Sequence, residues 1–74
     1  MQPDVRDHIA AEVRAEMGRQ FKSQTDLAEL LGVDQGSASL RLRGTRSFRS
    51  EELVAIADWL GVPVAQFLPR ERVA

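Results

Sequence analysis

SQTDLAELLGVDQGSASLRLRG, residues 23–44, reads as two short helices on either side of a glycine turn. Ser23 is a good helix N-cap, and Leu27, Ala28 and Leu31 follow at helical spacing. Asp26, three residues after Ser23, completes a capping box with the shorter acid. Gly32 ends the run, because a left-handed C-terminal residue costs glycine no steric clash. Val33 then serves as an apolar plug, and Asp34 is placed to cap a second helix over about Gln35–Leu42. That helix starts with small and polar side chains, gains arginines toward its end, and stops before Gly44.

Two short helices, a tight turn and a small-polar start to the second helix describe a helix-turn-helix, here spanning about 23–43. The stretch resembles the Cro/repressor helix-turn-helix family of small phage and bacterial regulators. Gln24, Leu27-Ala28, Gly32-Val33, Ala38-Ser39 and Gly44 carry the resemblance, continued by Leu53, Ile56-Ala57 and Leu60-Gly61-Val62. It implies an all-α, five-helix, lambda-repressor-like DNA-binding domain, with the second motif helix in the major groove. It also implies that Ser23 and Gln24, at the start of the first motif helix, meet a phosphate where free amides attract anions. With Ala38 turned inward, Gln35, Gly36, Ser37 and Ser39 lie on or beside the outward surface and become the base-reading candidates. Gln35 is suited to a bidentate pair with adenine.

One departure from the family form stands out. Where a core isoleucine or leucine often follows the Ala38 position by three, this chain has Arg41, flanked by Leu40 and Leu42. Leu42, four residues after Ala38, can fill the core from a slightly rotated helix. The expectation is then that Arg41 swings toward the DNA backbone and Leu40 lies near the groove, against thymine methyl groups. A buried Leu40 is the alternative. Gly36 also has two readings: close approach of backbone to DNA, or drift at an early helix position where glycine costs less than its interior penalty of about 1 kcal/mol.

Charge supports the same face. The 74-residue chain has a net charge of −1, which taken whole argues against a nucleic-acid partner. Between Ser39 and Ser50, however, Arg41, Arg43, Arg46 and Arg49 occur with no acid among them. Arg19 and Lys22 precede the motif, while acids gather at Asp4, Asp7, Glu12 and Glu16 and again at Glu51, Glu52 and Asp58. Local potential is what a phosphate senses, within a Debye length of about 8 Å. Arg41, Arg43, Thr45, Arg46 and Arg49 are therefore the phosphate candidates beside Ser23 and Gln24. The plain alternative is a set of solvated arginines on a loop.

Outside the motif the pattern stays helical. Val5, Ile9, Val13 and Met17, with Ala10 alongside, predict an N-terminal helix starting near Pro3 or Asp4 and stopping at Gly18. Phe21 is expected to tuck into the core under the next helix. Phe48 is expected to anchor the 43–49 loop, and Ser50 to cap a helix whose Leu53, Ile56, Ala57 and Leu60 face inward, ended by Gly61. A brief last helix follows, with Pro63 at its first position and Val64, Phe67 and Leu68 on its apolar side. Pro69 stops it, and a tail runs over about 69–74. Trp59 is either a core-edge side chain or, with Val64 and Phe67, part of a dimer interface.

The length is that of one small domain. With no cysteine there is no disulfide or thiolate zinc site, and no apolar run reaches the roughly 20 residues of a membrane span. His8 lacks a ligating partner and reads as a surface side chain. No metal, cofactor or enzyme chemistry is expected, since no acid–base or nucleophilic constellation is present. The expectation is a cytoplasmic homodimer on a pseudopalindromic double-stranded operator, closer to a Cro-like or lysogeny-switch repressor than to a ligand-sensing one. Two alternatives remain. One is an antitoxin or excisionase-like accessory factor; the other is a protein-interaction module that has lost DNA binding, which the acidic pI and the bare Gly36 favour.

Overall fold

The computed structural model describes residues 4–70. Asp4 caps the first helix, its carboxylate accepting from the Arg6 N–H at 3.0 Å. In order the elements are α1 (Val5–Arg19), α2 (Gln24–Leu31), α3 (Gln35–Leu42) and α4 (Ser50–Leu60), closed by a 3₁₀ turn over Val64–Phe67. The architecture is all-α, with that turn where the sequence predicts a fifth helix. Pro63 stands outside it as an extended cap, and Leu68 is already extended beyond it, so the segment never reaches helical length. The expectation for Pro3, and that for the tail over 71–74, lie outside the described residues.

The core is one cluster to which every element contributes: Val13 and Met17 from α1, Leu27 and Ala28 from α2, Ala38 and Leu42 from α3. Leu53, Ile56, Ala57 and Leu60 come from α4, and Phe67 from the 3₁₀ turn. Burying the larger of these stabilises the fold by about 1.5–3 kcal/mol per side chain. Ile9, Phe48, Val64 and Trp59 are half-buried at its margin. Phe67 is 0% exposed, inserted between α1 and α4. It therefore leaves the set of dimer-interface candidates: an aromatic ring already enclosed by its own domain has no face to offer a partner.

Four local expectations are corrected. Gly18 does not stop α1, which runs to Arg19 with Gln20 as its cap. The left-handed residue after it is Phe21, at φ 59, and that backbone carries the ring away from the core, leaving it 92% exposed. Val5, expected to begin the buried α1 stripe, is 50% exposed. Ser50 is the first helical residue of α4, not its cap; the cap is Arg49, in extended backbone, whose N–H donates to the Glu52 carboxylate at 2.9 Å.

Polar groups join α1 to the rest. Glu16 is buried and accepts from Gln20 at 2.8 Å, Gln66 at 2.8 Å and Arg19 at 3.0 Å. The Gln20 amide also donates to the Leu60 carbonyl at 2.7 Å, so one carboxylate links α1 to the end of α4 and to the 3₁₀ turn. The Gln20 amide, then the Arg19 guanidinium, hold the Glu16 carboxyl below its ordinary range against partial desolvation, with help from Gln66. Earlier in α1, the Arg14 guanidinium donates to the Leu42 carbonyl, and in its first turn Arg6 donates to the Thr45 carbonyl at 3.3 Å. Gly44, at φ 79, lies under Asp7: a Cβ there would sit 3.3 Å from the Asp7 Cα and overlap its carboxylate. That close approach brings the loop after α3 against α1.

Candidate nucleic-acid interface

The local bonds that shape the motif are those its sequence specifies. The Ser23 hydroxyl accepts from the Asp26 N–H at 3.1 Å, and the Asp26 carboxylate accepts from the Ser23 N–H at 2.8 Å. The Ser23 backbone, then its hydroxyl, hold the Asp26 carboxyl below its ordinary range, despite some desolvation, and the Lys22 charge adds to this. Gly32 takes the left-handed conformation at φ 68, and the Val33 N–H closes the turn onto the Ala28 carbonyl at 3.1 Å. Asp34 caps α3 through the Ser37 N–H at 2.7 Å. A contact that the sequence did not announce joins the two helix starts: the Gln24 amide donates to the Gln35 carbonyl at 3.2 Å. The N-termini of α2 and α3 thus lie side by side.

Along α3, Gln35 and Gly36 are exposed, Ser37, Ser39 and Leu40 are half-buried, and Ala38, Arg41 and Leu42 are buried. A Cβ on Gly36 would meet only the Asp34 carboxylate at 3.5 Å, an ordinary contact, so nothing within the domain requires glycine there. Leu40 is neither fully buried nor fully exposed, and its carbonyl receives the Thr45 N–H at 3.0 Å and the Arg46 N–H at 3.2 Å. Those bonds fold the loop back over the end of α3. Arg43, Thr45, Arg46 and Arg49 are exposed along that loop. Among the described residues Arg43, Arg46 and Arg49 make no ion pair.

Arg41 does not join them. The rotation that buries Leu42 is as expected, but Arg41 is three residues after Ala38 and so shares its inward face. The residue is 8% exposed, and its side chain forms a two-pronged pair with Glu52, Nε to Oε1 at 3.1 Å and Nη2 to Oε2 at 3.3 Å. Its Nη1 donates to the Ser37 carbonyl at 3.1 Å. Desolvation pushes the Glu52 carboxyl up, but the Arg49 N–H and the Arg41 guanidinium outweigh it and hold the group below its ordinary range. The pairing of Arg41 with Glu52 is not legible from helix spacing, which relates residues within one helix, whereas this pair crosses between two. The available signal was the cation at a position where the family commonly buries a hydrocarbon: such a charge requires a carboxylate nearby.

The remaining interface candidates also find places within the domain. Trp59 is half-buried with the Lys22 ammonium 5.2 Å from its ring centroid, and Val64 is half-buried against the core. Among the described residues no group of three or more His, Cys, Asp or Glu side chains is placed to hold a metal ion. No helix among them is long and apolar enough to cross a membrane.

Residues 13–67 match the Helix-turn-helix family model. Among solved structures the chain is similar to the clp gene regulator ClgR from C. glutamicum, with 29% identity, a TM-score of 0.79 and coverage of 89% of this chain and 86% of that one. It is similar to the hypothetical transcription factor NHTF from Neisseria, with 27% identity, a TM-score of 0.78 and coverage of 89% and 76% respectively. It is also similar to the BldD DNA-binding domain of S. venezulae, with 26% identity, a TM-score of 0.74 and coverage of 90% and 100%. No curated protein is a significant sequence match.

Proposed function

The chain belongs to the Cro/repressor-type helix-turn-helix family, and on that premise we propose that it binds double-stranded DNA sequence-specifically and regulates transcription by occupying an operator. The observation that carries the reading is the exposed N-terminal end of α3 beside three exposed arginines, Arg43, Arg46 and Arg49, that make no ion pair among the described residues. The likeness to a clp gene regulator, a hypothetical transcription factor and a DNA-binding domain supports it.

In this reading Gln35, Gly36, Ser37, Ser39 and Leu40 face the base edges in the major groove. Ser23 and Gln24 at the start of α2, with Arg43, Thr45, Arg46 and Arg49 after α3, hold the flanking phosphates. Gln24, bonded to the Gln35 carbonyl, ties a phosphate contact to the first base-reading residue. The mechanism is steric and Cro- or repressor-like: a homodimer on a pseudopalindromic site excludes other proteins from the promoter. Its half-sites lie about one helical turn, some 34–36 Å, apart.

Anisotropy titration against DNA fragments from upstream of and within its own gene, with salt varied, tests this. One fragment should bind about a hundredfold or more tighter than the rest. With three arginines neutralising phosphates in each subunit, the slope of log affinity on log salt should be about −5. Equal, weak binding to every fragment would refute sequence specificity. No binding at low salt would refute the DNA partner altogether.

A further inference from the structure

We propose that the pair of the buried Arg41 with the half-buried Glu52 is a positioning device that holds the base-reading end of α3 in register with the phosphate-contacting loop, so that it governs sequence discrimination; this rests on the DNA-binding reading above. Three observations meet at one guanidinium and one carboxylate. Arg41 Nη1 donates to the backbone carbonyl of Ser37, a base-reading candidate. Glu52 Oε1 accepts from the backbone N–H of Arg49, a phosphate candidate, at 2.9 Å. Between them runs the two-pronged pair itself, with only 10% and 14% of the two side chains exposed.

An apolar residue at position 41 would pack the core without choosing a direction. A planar guanidinium with three fixed donor directions satisfies its bonds in one arrangement of α3 relative to α4. Replacing a buried ion pair by uncharged residues is often neutral or stabilising, so stability is a poor reason for its presence. Its distinctive product is geometry. The pair is charge-neutral, so it adds nothing to the phosphate attraction that drives non-specific binding.

The test is a double variant, Arg41→Met with Glu52→Gln, which keeps net charge and leaves an amide oxygen to accept from the Arg49 N–H. Arg41→Lys serves as a second variant that keeps the charge and loses the fork. A duplex enriched from a random library by the parent protein is titrated against a scrambled duplex of equal composition. The double variant should keep its thermal midpoint and its affinity for the scrambled duplex, while preference for the enriched duplex falls about tenfold, the equivalent of one misread base pair. Arg41→Lys should lose a similar factor. A folded double variant whose preference stays within about twofold of the parent, less than a single misread base pair would cost, would overturn the proposal. If the parent itself shows no preference, sequence-specific DNA binding fails instead. Positioning is then judged from NMR residual dipolar couplings: a changed α3–α4 angle in the double variant upholds it, and an unchanged angle overturns it.

Discussion

Phe21 holds a left-handed backbone with its ring in water, a conformation that costs an L-residue about 1–2 kcal/mol. Asparagine tolerates that region and lacks the exposed ring. Phe21→Asn should therefore raise stability by about 1 kcal/mol, read as a higher urea midpoint with an unchanged m-value. A lower midpoint would mean that the ring makes a stabilising contact after all. Gly44 is the opposite case, since its positive φ and the Asp7 backbone above it leave no room for a side chain. Gly44→Ala should cost at least about 1–2 kcal/mol from the backbone alone. On the DNA face, Gln35→Ala should relax preference at one base pair, with a loss of about 1–3 kcal/mol for the preferred base only. Arg46→Ala should weaken binding to every sequence and flatten the salt slope by about 1 for each subunit. A uniform loss from Gln35→Ala would remove its base-reading role.

At the scale of elements, the 3₁₀ turn does the work expected of a fifth helix with four residues, by driving Phe67 between α1 and α4. Phe67→Ala should cost about 3–5 kcal/mol. Because the ring is enclosed within its own chain, that loss should appear as a lower unfolding midpoint that does not depend on protein concentration. A loss seen only through weakened association would return Phe67 to an interface. The caps of α2 and α3 were readable because a cap is a local affair: Ser23 with Asp26, and Asp34 with Ser37, lie within one turn of each other. Gly18 misled for a related reason. A glycine near a helix end signals a stop only if the backbone needs a positive φ there, and that need falls three residues later.

At the scale of the molecule, three carboxyls among the described residues are held below their ordinary values: Glu16 by Gln20 and Arg19, Asp26 by the Ser23 backbone and hydroxyl, and Glu52 by the Arg49 N–H and Arg41 against desolvation. A carboxyl lowered in the folded state contributes stability that is fully present above its unfolded value and is lost as pH falls through the folded one. Stability should thus be level from neutral pH down to the ordinary glutamate value of 4.5, and decline below it as these groups take up protons. Urea midpoints measured across that range, for the parent and for Glu16→Gln, should show a shallower acid decline in the variant. Equal declines would mean that Glu16 does not contribute.

The order of helices, the caps of α2 and α3, the inward faces of α2 and α4 and the left-handed turn at Gly32 followed from sequence alone, because each depends on residues within a turn or two of one another. Tertiary structure alone decided where Arg41, Phe21 and Phe67 point. Arg41 is drawn inward by a carboxylate eleven residues away on another helix, Phe67 into a gap between two helices, and Phe21 outward by a left-handed backbone. Partners that meet only after the chain has folded leave no periodic trace in it.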